Sequence, residues 1–276
     1  PAAKFQTQRE RKFESDYEKH FKYPKKSQFQ ILFENEQYGE IANQSLAEFL
    51  QKMINKSKIK SKQFLFSSGY APGESEHKYF QYFREPKNSK KWISNQNHFI
   101  VSNDNDLIFL SLQFIDENFY IIKFWPNGDK YTFDYVDISV VRRYFLNLIY
   151  YPFGNKKYMH NNKIGQKEII DDIIALSFLL GNDFIPQFPE IESFDVNSFQ
   201  NLLNTYITMN SNPRSKYKHL ICDDSFNVET LKEFVSLYFR KDNGQFQLPP
   251  KKQLKDMSQM ILRTLNFTWL YYSKDV

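Results

Sequence analysis

Leu46, Phe49, Leu50 and Met53 fall at i, i+3, i+4 and i+7, one face of a helix, and predict an amphipathic helix over 46–54. Residues Ala3 to Phe21 read as a more polar helix, and Gln28 to Phe33 as a short strand inside an irregular stretch. Gln63 to Ser67 is a β-prone run stopped by Gly69, Pro72 and Gly73, after which His77 to Arg84 returns to helical character. His98 to Ser102 is a second apolar strand, closed by a polar turn before a helix that begins near Leu107 and runs to Leu112. Phe119 to Phe124 and Tyr131 to Val136, split by Pro126-Asn127-Gly128, predict a hairpin. From Ile138 onward the pattern is mainly helical.

Strands alternating with helices predict an α/β fold, with a mainly parallel central sheet flanked by helices and a helical C-terminal region. In such sheets ligands sit beyond the carboxyl ends of the strands. Gly154 to Gln166 is polar and carries Lys, Asn and Gly, which marks a surface loop between an α/β part, residues 1–152, and a helical part, residues 153–276. No internal repeat is visible.

The 276 residues are 41% hydrophobic and 25% charged, a balance that excludes a disordered, collagen-like or coiled-coil chain. No apolar run approaches the ~20 residues a membrane helix needs, and the longest is interrupted by Asp171 and Asp172. A single cysteine, Cys222, excludes an internal disulfide framework and any paired-cysteine zinc or redox site. The expected setting is therefore reducing and intracellular, cytoplasm or nucleus. A net charge of +5 tilts the chain toward an anionic partner without specifying one. The 28 Phe and 18 Tyr are read first as core filling rather than as base-stacking platforms. Because the chain opens on Pro1 and passes at once into a helix-like run, it is expected to begin inside a larger protein.

Three acidic strings carry candidate chemistry. Phe99-Ile100-Val101 runs into Ser102-Asn103-Asp104-Asn105-Asp106. If the extended backbone continues past the strand, period-two alternation points Asp104 and Asp106 the same way, where they could share a cation; the alternative is a solvated Asx-rich turn. Gly69-Tyr70-Ala71-Pro72-Gly73 precedes Glu74-Ser75-Glu76-His77-Lys78. Residues two apart on a helix lie ~200° apart, so Glu74 and Glu76 converge only if Glu74 precedes the helix and Glu76 sits in its first turn. Plain complementation of the helix dipole is the alternative there. In the third string, Ile169 to Leu180 is a mostly apolar helix stopped by Gly181, and Pro186 prevents its early resumption. Asp183 lies at that corner, a costly place for a charge unless it is paired or metal-bound, whereas Asp171 and Asp172 are expected to form a solvated stripe. Separately, Lys4, Gln8, Arg11 and Lys12 fall at i, i+4, i+7 and i+8, a compact cationic face suited to a terminal phosphate, or else an ordinary solvated face.

Taken together, YAPGESEHK at 70–78, SNDNDLIFL at 102–110, IIDDIIALSFLLGNDFIPQFP at 169–189 and ILRTLNFTWLYY at 261–272 resemble the 5′-to-3′ exoribonuclease (XRN-type) family of the PIN-like and flap-nuclease group, as does the opening PAAKFQTQRERKF. The resemblance implies a PIN-like nuclease core over 1–152, with its N-terminal part upstream, and a second region over 153–276 that brings Asp183 to the same site. It implies Glu74, Glu76, Asp104, Asp106 and Asp183 as catalytic carboxylates holding two Mg²⁺ or Mn²⁺ ions, since oxygen-only ligation suits these ions better than zinc. Lys4, Gln8, Arg11 and Lys12 would form the pocket for a 5′-monophosphate. Lys12 stands where the family commonly has Arg, which keeps the charge and loses the forked geometry. The implied activity is hydrolysis of single-stranded 5′-monophosphate RNA to 5′-mononucleotides. Two further family acids are expected upstream of Pro1, so the isolated chain is expected to be feeble or inactive. Two alternatives stand beside this reading: a catalytically silent relative kept as a scaffold or RNA-binding module, and a flap-type DNA nuclease.

Overall fold

The computed structural model describes residues 36–56, 67, 73–84, 96–150, 163–182, 184–185, 196–211, 217–239 and 251–274. The chain forms two compact units, Pro1–Tyr82 and Phe83–Val276. In the first unit, α1 (Glu36–Lys56) contains the helix predicted over 46–54 and extends it. Its apolar stripe of Leu46, Phe49, Leu50 and Met53 is exposed. The second helix, α2 (Ser75–Arg84), crosses the boundary between the units.

In the second unit the order is β1 (Asn97–Val101), α3 (Asp106–Leu112), β2 (Asn118–Asn127), β3 (Lys130–Asp137), α4 (Ile138–Tyr150) and α5 (Lys163–Phe178). Then come α6 (Val196–Met209), β4 (Ile221–Cys222), β5 (Ser225–Phe226), α7 (Val228–Phe239) and α8 (Lys251–Lys274). The α/β class is as expected. The sheet is mixed among the described residues: β1 pairs parallel with β2, and β2 pairs antiparallel with β3. Connection length explains both pairings. Helix α3 provides the crossover that a parallel pair needs, whereas the two residues between β2 and β3 can only reverse the chain. Gly128 opens that turn at φ 61, a value a glycine takes freely, and the predicted hairpin is present. A second, unforeseen hairpin joins β4 to β5 through Asp223 and Asp224, both at positive φ (49 and 58).

One sheet face is buried and the other is not. Phe119 and Ile121 of β2 are buried at period two, and His98 of β1 lies opposite Phe119 in register. On the other face Phe99, Val101, Tyr131, Phe133 and Tyr135 are exposed. Helix α4 buries Ile138, Arg142, Leu146 and Ile149 on one stripe and packs on β2 and α5. Arg142 can be buried because its guanidinium closes the segment before β2, donating to the carbonyls of Ile115 at 3.1 Å and Phe114 at 2.9 Å.

Helix α5 is apolar on every side and buried from Ile169 to Leu180, so it forms the centre of the helical layer, touching α4, α6, α8 and β4. Each of its fully buried isoleucines contributes roughly 1.5–3 kcal/mol. This helix begins at Lys163, so the last four residues of the loop expected over Gly154 to Gln166 are helical instead. Gly165 is tolerated there at about 1 kcal/mol, and the Lys167–Asp171 pair at i, i+4 supports the added turn.

Candidate functional site

Gly73 has φ +92, which a residue bearing a Cβ rarely adopts, and it lets the chain turn sharply into α2. Glu74 then sits just before the helix and its carbonyl accepts the Lys78 N–H at 3.0 Å, the first bond of the helical ladder. Glu76 occupies the first turn, with Ser75 Oγ donating to its Oε2 at 3.0 Å. Glu74 before the helix and Glu76 in its first turn are the two backbone settings expected of these acids, and both are half-buried. Farther along, burial pushes the Tyr79 phenol up to about 12, so it stays protonated at any physiological pH.

The second acidic string behaves differently from the extended expectation. β1 ends at Val101, although Ser102 N–H still donates to Ile122 carbonyl at 3.0 Å. Asn103 then takes over from the ladder: its Nδ2 donates to the Phe124 carbonyl at 2.8 Å, and its Oδ1 accepts the Phe124 N–H at 2.9 Å. Two local bonds fold the chain back, Asp104 N–H to Ser102 Oγ at 3.1 Å and Asp106 N–H to Asp104 Oδ1 at 3.0 Å. Asp106 thereby becomes the first residue of α3, and strand alternation no longer relates the two carboxylates.

The turn also has tertiary supports. Lys123 Nζ donates to Asn105 Oδ1. Tyr272 of α8 donates its hydroxyl to Asp106 Oδ2 at 2.8 Å, and its carbonyl is held by Arg84 at 3.0 Å and Gln113 at 3.3 Å. Asp104 Oδ2 is bonded by no described residue and lies at an exposed position.

At the end of α5, Gly181 takes φ 89 as a helix-stopping glycine, and Asn182 ties the corner. Its Oδ1 accepts the N–H groups of Phe184 at 2.8 Å and Ile185 at 2.9 Å, and its own N–H donates to Ile185 carbonyl at 2.9 Å. Asp183 lies outside the described residues, as do Lys4, Gln8, Arg11 and Lys12. Glu74 and Glu76 belong to the first unit, Asp104 and Asp106 to the second. Among the described residues no three or more His, Cys, Asp or Glu side chains gather as a metal site.

Asp171 and Asp172 are not the solvated stripe expected of them. Asp172 is fully buried and accepts bonds from Tyr206 Oη at 2.5 Å, His219 Nδ1 at 2.7 Å and the Ile221 N–H at 2.8 Å. Burial pushes its carboxyl up, and those three donors oppose the push. For His219 burial lowers the imidazole, but the bond to and charge of Asp172, with Glu168 and Asp171, leave it above its ordinary value. The signal for this was present in the pattern, because isoleucines flank Asp171-Asp172 on both sides and leave the helix no polar face. Tyr272 was visible only as part of a string, with nothing to connect it to Asp106.

Residues 1–124 match the family model described as the N-terminus of the XRN 5′-3′ exonucleases. The 5′-3′ exoribonuclease 1 of Schizosaccharomyces pombe is 29% identical over 212 residues, 68% of this chain and 16% of that protein. The human protein of the same name is 29% identical over 179 residues, 60% of this chain and 10% of its own length. The 5′-3′ exoribonuclease 2 of Kluyveromyces lactis is 24% identical over 310 residues, 93% of this chain and 30% of that protein. The chain spans less than a third of each of these relatives. The first 124 residues thus match the family's N-terminal region, and the chain is similar to XRN-type 5′-3′ exoribonucleases over much of its length.

Proposed function

We propose that the protein carrying this chain hydrolyses single-stranded RNA from a 5′-monophosphate end, in the 5′-to-3′ direction, releasing 5′-mononucleotides. The support is the family match over residues 1–124, the stretch that includes Glu74, Glu76, Asp104 and Asp106. In this reading those four acids and Asp183 hold two Mg²⁺ or Mn²⁺ ions. Their donor set is all oxygen, which fits hard divalent cations, and Asp104 Oδ2 is left open by the turn as a ligand position. When bound, the ions supply Lewis-acid activation of the scissile phosphate and of the attacking water.

The chain's own residues do the positioning. Lys4, Gln8, Arg11 and Lys12 bind the terminal phosphate and so set where hydrolysis starts, while Tyr272 fixes the Asp106 carboxylate. The parallel β1–β2 pair, with Asp104 beyond the carboxyl end of β1, supports a PIN-like core with a mainly parallel sheet over 1–152, followed by a helical region over 153–276. An activity of this kind belongs in the cytoplasm or nucleus.

The test is a time course on end-labelled 5′-monophosphate and 5′-hydroxyl RNA, using the chain expressed with its flanking coding sequence. The 5′-monophosphate RNA should decay to mononucleotides, EDTA should stop the reaction, and Glu76→Gln or Asp104→Asn should slow it by about 100-fold or more. Cleavage of DNA flaps in place of RNA ends would make it a flap nuclease. RNA binding with no cleavage would make it a binding module.

A further inference from the structure

Strand β3 is an edge of the three-stranded sheet, and no strand among the described residues pairs with its outer side. The hydrogen bonds of β2 show which groups of β3 are spare. The Ile122 carbonyl accepts from Ser102, and Phe124 gives and takes one bond each with Asn103, so these residues turn their backbone away from β3. The alternate residues Lys123, Trp125 and Asn127 therefore face β3 at Asp134, Thr132 and Lys130, with which they are in register. It follows that Tyr131, Phe133 and Tyr135 point their N–H and C=O groups outward. Their side chains are exposed as well, Phe133 by 65% and Tyr135 by 72%. The register with β2 is unbroken from Lys130 to Asp137, with neither a bulge nor a proline to blunt the edge. An apolar edge of this kind is a template for another strand.

The charges of the strand decide which partner fits. By alternation the aromatic face of β3 also carries Asp137, whereas Lys123 and Lys130 lie on the opposite face of the sheet. It therefore lacks the positive charge that a stacking platform for nucleic acid needs. A second β3 fits instead. Two-fold antiparallel pairing keeps each sheet face on its own side and sets outward residues against outward residues, so one residue of β3 meets its own copy. Lys130 and Asp134 are the oppositely charged residues of β3 that share a face. They meet when Thr132 lies on the two-fold axis, and symmetry makes them meet twice. With Phe133 on the axis Lys130 would meet Val136, and with Asp134 on the axis two carboxylates would meet. In the Thr132 register Tyr131 of one copy and Phe133 of the other exchange backbone bonds on both sides of the axis. Lys130 is paired with no described residue, and Asp134 uses Oδ2 for the Trp125 indole at 3.2 Å, which leaves its Oδ1 to the partner.

We propose that β3 joins two copies of this chain edge to edge across Thr132, making one continuous sheet from the two three-stranded ones. The pairing rests on the edge alone and stands whether or not the chain takes part in RNA hydrolysis. Sedimentation equilibrium of the protein carrying this chain should show a concentration-dependent doubling of mass. Phe133→Pro removes an outward N–H and leaves the β2 ladder intact, so it should give a monomer with an unchanged far-UV spectrum. Lys130→Glu and Asp134→Lys should each weaken association about tenfold or more, because each sets like charges together twice. An equimolar mixture of these two variants should associate as the wild type does, because opposite charges meet again across the mixed pair. Cys222→Ser removes the exposed native thiol. In that background Thr132→Cys should cross-link at the axis under mild oxidation, since facing Cα atoms there lie about 4.5 Å apart. A mass that stays monomeric at every concentration overturns the proposal. So does a dimer that survives Phe133→Pro, or a mixture that associates no better than its components. RNA binding by a monomer, lost in Phe133→Pro, would make the aromatic face a nucleic-acid platform instead.

Discussion

Asp171 and Asp172 are neighbours on one helix with opposite accounts. Asp172 has three donors, whereas Asp171, 6% exposed, has Lys167 on Oδ2 and no described partner on Oδ1. Burial pushes the Asp171 carboxyl up from 3.8 to about 6 against the pull of Lys167. A raised carboxyl penalises its ionised form, so its contribution to stability is present below the unfolded value and is lost as pH climbs through about 6. Asp171→Asn keeps the shape and removes the penalty. It should raise the unfolding free energy at pH 7 by up to about 3 kcal/mol, at ~1.36 kcal/mol per pH unit, and by much less near pH 4. Urea unfolding at both values checks this, and an equal gain at each would mean that ionisation is not the cause. His219 has a pH window of its own. Its imidazole is held above the ordinary value by Asp172, so the stability it adds is fully present below about 6.5 and is lost as pH rises through its higher folded value. The gap in urea midpoint between wild type and His219→Gln should therefore be wide at pH 6 and should narrow by pH 9.

At the scale of elements, the acidic turn between β1 and α3 is shaped by a residue that is not acidic. Asn103 gives and takes one bond each with the Phe124 backbone, replacing the strand pairing that stops at Ser102. Asn103→Ala removes both, and at ~0.5–1.5 kcal/mol per bond it should destabilise the fold by about 1–2 kcal/mol. Under the proposed function it should also move the Mg²⁺ dependence of RNA decay to higher concentration, which a metal titration of the rate would read. This turn also shows where a linear pattern stops being informative. Helix α2, strand β1, helix α3 and the β2–β3 hairpin were legible because each has one clear period and ends at Gly, Pro or an Asx residue. The path from Asp104 to Asp106 was not, because two side-chain bonds redirect the backbone within a few residues. Its outer support, Tyr272, lies 166 residues away, a distance over which no spacing rule operates. The backbone settings of Glu74 and Glu76 were legible for the converse reason: Gly73, at φ 92, turns the chain so that the helix starts at Ser75, after Glu74 and before Glu76.

Across the whole molecule, a net charge of +5 coexists with five carboxylates assigned to one task, an arrangement that the cations in the proposed reading reconcile. Acids sharing ions repel one another when the ions are absent, so metal bound by the folded protein and not by the unfolded chain must stabilise the fold. At one hundred times its dissociation constant a ligand of this kind contributes about 2.7 kcal/mol. For a domain of a few hundred residues, each 1 kcal/mol moves Tm by roughly 2–4 °C. Saturating MgCl₂ should therefore raise Tm by about 5–10 °C above KCl at equal ionic strength, in the protein carrying this chain. Glu76→Gln with Asp104→Asn should remove most of that rise while leaving the metal-free Tm equal or higher, because the double variant has less charge to balance. This readout is independent of turnover, so it separates loss of metal from loss of RNA. A rise of the same size in wild type and double variant would place the bound metal elsewhere and withdraw Glu76 and Asp104 from the ligand set.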